Sequence, residues 1–229
     1  MTNMLIFDLD GTLVDTPSAI VEAFTRTFTN LRIEPADAAA IRATIGLPLD
    51  QAFGKLLGAP TDDRTVIRAV QRYQVLFKEH VMPSAKRLLF RGVADGLTAL
   101  QRQGFTLAIA TSKFFANAEG LLIAAEIRDR FALVVGADQV DRPKPHPDVG
   151  HFIIRQLGIP AERAIMIGDT THDLLMAKAV GMRSIAVTYG VHSLPELMSA
   201  APTWIADTFD AVLERVERSV RNDQEVQRA

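Results

Sequence analysis

The sequence predicts an α/β protein: a Rossmann-like parallel sheet with helices on both faces, plus a small domain made only of helices. Two observations carry this. Six short runs rich in apolar and β-branched residues alternate with longer amphipathic stretches through most of the 229 residues, the rhythm of βαβ units around a parallel sheet. Residues 17 to 84 interrupt that rhythm with helical periodicity and no convincing strand. A helical block between the first strand and the rest reads as an insertion. The sheet domain is therefore expected over 1–15 and 85–229, and the helical domain over 16–84.

In chain order, Met4-Leu5-Ile6-Phe7 is apolar on both alternating faces, as a buried parallel strand requires. Helical patterns follow near 17–30, 36–43, 49–58 and 63–80, separated by turn signals at Pro35, Gly46-Leu47-Pro48 and Gly58-Ala59-Pro60. Val14–Thr16 and Pro83-Ser84 are read as the two hinges of this block. Strands are then expected at 106–110, 133–135, 164–167, 184–187 and 204–206. Helices are expected at 93–103, 114–125, 147–157, 172–181 and 207–219. The polar tail from Arg218 to Ala229 reads as a frayed helix end, and the charged stretch at 214–225 as a solvated face.

Composition narrows the function. The chain is 48% hydrophobic and 23% charged, with a net charge of -2. That balance gives no basic footprint for nucleic acid or an anionic membrane. The absence of cysteine removes disulfides, thiol nucleophiles and thiolate metal sites. No apolar run approaches the ~20 residues of a membrane span, and the N-terminus lacks the pattern of a signal peptide. A cytoplasmic location is the expectation.

The chemistry is expected at strand ends. The first strand runs into Asp8-Leu9-Asp10-Gly11-Thr12, the second into Thr111-Ser112-Lys113, and the fourth into Gly168-Asp169-Thr170-Thr171-His172-Asp173. Lys144 lies between two prolines beyond the third. Open parallel sheets bind ligands at the carboxyl ends of their strands, so the four groups should converge on one crevice. Carboxylates without a His or Cys partner set suit a hard, oxygen-preferring cation, Mg²⁺ before Zn²⁺. A hydroxyl and free N–H groups at a helix start suit phosphate. With a lysine, these are the parts of phosphoryl transfer, and an aspartate can serve as the nucleophile.

These four motifs, in this order, resemble those of the haloacid dehalogenase-like (HAD) phosphohydrolase superfamily. The block at 16–84 is similar to the helical cap of its phosphoglycolate phosphatase-like and β-phosphoglucomutase-like branch. Ile45-Gly46-Leu47-Pro48-Leu49 resembles the cap loop that dips toward the active site. The resemblance implies Asp8 as nucleophile and Asp10 as general acid/base. It implies Mg²⁺ held by Asp8, the main-chain carbonyl of Asp10, and Asp169, with Asp173 in support through water. Thr111 and Lys144 would hold the phosphoryl oxygens, helped by main-chain N–H groups near Gly11 and Ser112.

Other readings stay open beside it. Lys113 competes with Lys144 for the phosphate but reads more simply as a solvated lysine in a first helical turn. His146 and His172 read as bystanders, and His80, His151 and His192 as surface residues. Trp204 reads as core; Phe114-Phe115 could touch substrate at the cleft rim but read more simply as core of the following helix. Arg42 and Lys55 flank the Gly46 loop and could pair with a substrate carboxylate such as that of phosphoglycolate. The leading expectation is a Mg²⁺-dependent phosphatase for a small phosphorylated metabolite. A β-phosphoglucomutase-like mutase shares all four motifs. A non-catalytic phospho-acceptor module would lack the inserted block and the Asp10-Gly11-Thr12 pattern. Oligomeric state is not legible.

Overall fold

The computed structural model describes residues 3–228. Six parallel strands form one sheet in the order β3-β2-β1-β4-β5-β6. They are β1 (Met4–Phe7), β2 (Thr106–Ala110), β3 (Leu133–Val135), β4 (Ala164–Gly168), β5 (Arg183–Val187) and β6 (Trp204–Ala206). The sequence places all six. The order reverses at β1, whose neighbours are β2 and β4, with Phe7 level with Ile109 and Ile167. A reversal of this kind opens a crevice at the carboxyl ends of the strands.

Alternation along each strand divides the core in two. Leu5 and Phe7 face one cluster with Ile109, Ile167 and Phe209. Met4 and Ile6 face the other with Val149, Ile153 and Met176. The first cluster is covered by α5 (Val93–Arg102), α6 (Phe115–Ala124) and α10 (Phe209–Arg228), the second by α7 (Asp148–Leu157) and α8 (Thr171–Val180). A six-residue helix, α9 (Leu194–Ser199), packs Leu197 on Leu174 and Ala186.

Between β1 and β2 come α1 (Pro17–Asn30), α2 (Ala38–Arg42), α3 (Leu49–Leu57) and α4 (Arg64–His80). Local chemistry explains their limits. Pro17 opens α1, where its missing N–H costs nothing. Gly58 ends α3 at φ +63°, and the Asp63 carboxylate accepts from Thr65 N at 2.6 Å to start α4. Phe24, Phe28, Phe53, Tyr73 and Phe77 form a chain of ring contacts at centroid distances of 4.4 to 6.0 Å.

Two expectations shift. Pro83-Ser84, expected as a loop at the edge of the helical block, lies inside a 3₁₀ helix, Met82–Leu88. The returning chain crosses at Leu88–Phe90, where Asp15 N donates to Leu88 O at 2.7 Å and Phe90 N to Leu13 O at 3.1 Å. The tail, expected to fray, continues as helix to Arg228. Asp223 there pairs with Arg183 of β5 at 3.0 Å, so the polar stretch is not wholly a solvated face.

Candidate active site

Asp8 and Asp10 follow β1 directly, and Thr111, Ser112 and Lys113 follow β2. Asp169 and Thr170 leave β4, and Asp173 lies in the first turn of α8. The loop after β3 carries Lys144 into the same place. Its buried ammonium donates to Asp8 Oδ1 at 2.8 Å, Asp173 Oδ1 at 2.6 Å and Ala110 O at 2.7 Å. Residues scattered over most of the chain thus meet at the β1/β4 reversal.

Asp8, Asp169 and Asp173 are buried, with carboxylate oxygens within 4.8 Å of one another. One ammonium faces three acids. Burial pushes the Asp8 carboxyl up to about 7 against the pull of Lys144, with Asp173 and Asp10 adding to the rise. Burial also pushes Asp169 well above its ordinary value, with repulsion from Asp8 and Asp173 adding to it. A second positive charge is what such a cluster lacks. Its donors are all oxygen, so a hard divalent cation of the Mg²⁺ type fits.

The supports of these acids were not legible in the sequence. Asp169 Oδ1 accepts from Thr12 Oγ1 at 2.9 Å, and Oδ2 from Val191 N at 2.8 Å. A Cβ on Gly11 or on Gly190 would stand 2.2 Å from Asp169 Oδ2, so both glycines make room for that carboxylate. Asp173 Oδ2 accepts from the Thr170 hydroxyl at 2.7 Å and its amide at 3.0 Å, capping α8. With Oδ1 on Lys144, both Asp173 oxygens are engaged, which suits a supporting role. The Gly11 N–H donates to Val14 O at 2.8 Å. It shapes the turn, in contrast to the phosphate contact expected of it.

Asp10 also has two partners. Its Oδ1 accepts from the Thr16 hydroxyl, and its Oδ2 pairs with Lys113 at 2.9 Å. Lys113 is therefore not a solvated surface lysine. Its side chain is 11% exposed, and Nζ lies 4.3 Å from the centre of the Phe77 ring. Thr111 is buried, its Oγ1 accepting from Lys113 N at 3.2 Å.

The helical block roofs this crevice. Ser112 Oγ donates to Gly46 O at 2.7 Å, so the Ile45–Leu49 loop dips onto the site. Gly46 has φ +101°, and a Cβ there would lie 3.0 Å from His172 Nδ1. His172 thus packs beneath the loop, and His192 is structural, its Nδ1 accepting from Thr171 N at 3.1 Å. Phe114 lines the cleft with Asp8, Asp10, Ile20, Phe24 and Tyr73, the less simple of the two positions the sequence suggested for it. Arg42 and Lys55 are exposed and do not line it; Arg42 instead donates to Gly190 O at 3.3 Å. No helix of the described residues is long and apolar enough to cross a membrane.

Comparison with known proteins agrees with this geometry. A sequence profile described as haloacid dehalogenase-like hydrolase matches residues 5–187. The chain is 53% identical over 213 residues, 93% of each protein, to the probable phosphatase IndB of Dickeya dadantii (strain 3937). It is 32% identical to a phosphoglycolate phosphatase of Colwellia psychrerythraea, covering 94% of this chain and 97% of that one. Among solved structures, a haloacid dehalogenase-like family hydrolase from Streptococcus pneumoniae superposes with a TM-score of 0.80 at 31% identity, covering 94% and 98% of the two chains. The match extends through the acids after β1, the hydroxyls after β2, Lys144 and the acids after β4, and so the chain belongs to the haloacid dehalogenase-like hydrolase family, in its phosphoglycolate phosphatase-like branch.

Proposed function

We propose that this protein is a Mg²⁺-dependent phosphatase that hydrolyses a small phosphorylated metabolite through an aspartyl phosphate on Asp8. One observation carries the reading. Two carboxylates follow one strand into one cleft, yet the fold treats them differently. Asp8 lies in the buried acid cluster against Lys144, whereas Asp10 stands outside it, held by Thr16 and Lys113. A nucleophile and a proton carrier need such separate surroundings.

Asp8 attacks phosphorus, and the bond from phosphorus to the ester oxygen breaks. Asp10 gives its proton to the departing oxygen, then takes a proton from the water that attacks the aspartyl phosphate. Phosphate leaves and the Asp8 carboxylate is restored. Thr111, the Ser112 amide and Lys144 are suited to hold the phosphoryl oxygens. Asp8, Asp169 and the Asp10 carbonyl would hold Mg²⁺, with Asp173 behind them. The ion supplies the positive charge that the acid cluster and the transferring group require. The helical block over 16–84 acts as a cap that excludes bulk water during the reaction.

The test is phosphate release by the Mg²⁺-loaded protein from a panel of phosphomonoesters. Steady release with no sugar bisphosphate present separates a phosphatase from a mutase. Asp8→Asn is expected to abolish turnover with the fold intact by circular dichroism. Asp10→Asn is expected to lower kcat by about 10²–10⁴-fold. Full activity of either variant, or of the wild type in excess chelator, would sink the mechanism.

A further inference from the structure

The phosphoryl end of the cleft is polar, but the end that must receive the leaving group is not. Its wall is built from Ile20, Phe24, Leu47, Tyr73, Phe77 and Phe114. The rings form one surface: Phe24 lies 4.9 Å from Tyr73, and Tyr73 lies 5.7 Å from Phe77. The wall is also uncharged: five of these side chains have no ionisable group, and the Tyr73 phenol is neutral at neutral pH.

Two of the polar groups on this side are used by the protein itself, while Asn117 adds an uncharged amide to the lining. Thr44 donates to Ile41 O at 2.7 Å, and Ser112 donates to Gly46 O. Lys113 is the only cation among the described residues that lines the cleft, and it is paired with Asp10 at 2.9 Å. A substrate carboxylate here would be stripped of water without a cation of its own, which is costly. Phe24, Tyr73 and Phe77 are buried and meet the cleft only at their rims, beside the half-buried Leu47 and Phe114, so a flat apolar body would pack edge-on against this wall.

On the phosphatase reading, we propose that the substrate is a phosphate monoester whose alcohol carries an aromatic or similarly flat apolar body, and not a short carboxylate such as that of phosphoglycolate. Phe24, Tyr73 and Phe77 are then the specificity-determining residues.

The test compares three alkyl monoesters whose alcohols are of similar basicity, so that leaving-group reactivity does not decide the order. They are ethyl phosphate, benzyl phosphate and phosphoglycolate, with p-nitrophenyl phosphate as an activated control. The wild-type, Mg²⁺-loaded protein is expected to favour benzyl phosphate in kcat/KM by about tenfold or more over the other two, since small apolar differences in a closed pocket discriminate on that scale. Phe24→Leu is expected to lower the benzyl-to-ethyl ratio several-fold. That ratio compares two substrates on one preparation, so partial unfolding of the variant cancels. Phosphoglycolate or ethyl phosphate matching benzyl phosphate, or an unchanged ratio in Phe24→Leu, overturns the assignment and leaves the phosphatase standing. Failure to release phosphate from any of the four overturns the phosphatase reading itself.

Discussion

At the scale of the residue, charge balance around Asp8 has consequences outside catalysis. Its carboxyl is raised by burial to about 7, against about 3.9 for an unfolded aspartate. The folded state therefore binds this proton more tightly than the unfolded state. In the absence of metal, stability from this group declines as pH rises from about 4 to about 7 and then levels. On the proposed reading Mg²⁺ would bind the ionised acids, so it is expected to raise Tm more near about pH 8 than near about pH 5. Equal shifts at the two pH values in a thermal scan would contradict this. Thr12 gives a second residue-level prediction, because its hydroxyl is one of two groups holding Asp169. Thr12→Val is expected to raise the Mg²⁺ concentration for half-activation by about 10–100-fold, the usual loss when a ligand's support is removed. An unchanged requirement would take Thr12 out of that role.

At the scale of the element, all six strands were legible because the inner strands are buried on both faces and the edge strands β3 and β6 are still short apolar runs. Helix α9 was not, since six residues cannot display a helical period. Pro83-Ser84 signalled a turn, and a 3₁₀ helix satisfies the same signal. Asp8, Asp10, Lys144, Asp169 and Asp173 were readable as strand-end chemistry. Thr12, Thr16, Gly190 and Val191 were not. They act by closeness in space, as when Thr12 reaches Asp169 across 157 residues. The Gly46 loop lies between these cases: its turn was legible, its seat on His172 was not. With φ +101° and a Cβ 3.0 Å from His172 Nδ1, Gly46→Ala strains the loop twice. It is expected to cost about 1 kcal/mol or more of stability. Displacing the roof should also lower kcat/KM by about tenfold or more. Urea titration and steady-state kinetics check the two effects separately, and an active, undisturbed variant would deny the loop its place.

At the scale of the whole molecule, the sheet presents its acids and the helical block covers them, but a substrate must still enter. The block joins the sheet through paired crossings at Leu13–Asp15 and Leu88–Phe90, and on the capped-phosphatase reading it would swing about them to admit substrate. Two hydrogen bonds span the cleft from its roof: Ser112 to Gly46, and Arg42 to Gly190. Each contributes about 0.5–1.5 kcal/mol, so together they bias closure by about 1–3 kcal/mol. Arg42 is exposed, so its share belongs at the low end. A latch of this size favours the closed form without locking it. On the proposed reading substrate would bind fully only to the closed form, so its observed affinity would be reduced by the fraction of molecules that are open. Ser112→Ala with Arg42→Ala keeps the Ser112 amide and removes both latch contacts. KM is then expected to rise by up to about twofold with kcat unchanged, since losing a latch of this size takes the closed fraction from near one to about one half and leaves the chemical groups untouched. A collapse of kcat would instead make Ser112 part of the chemistry. An unchanged KM would mean that the apolar roof alone holds the block closed.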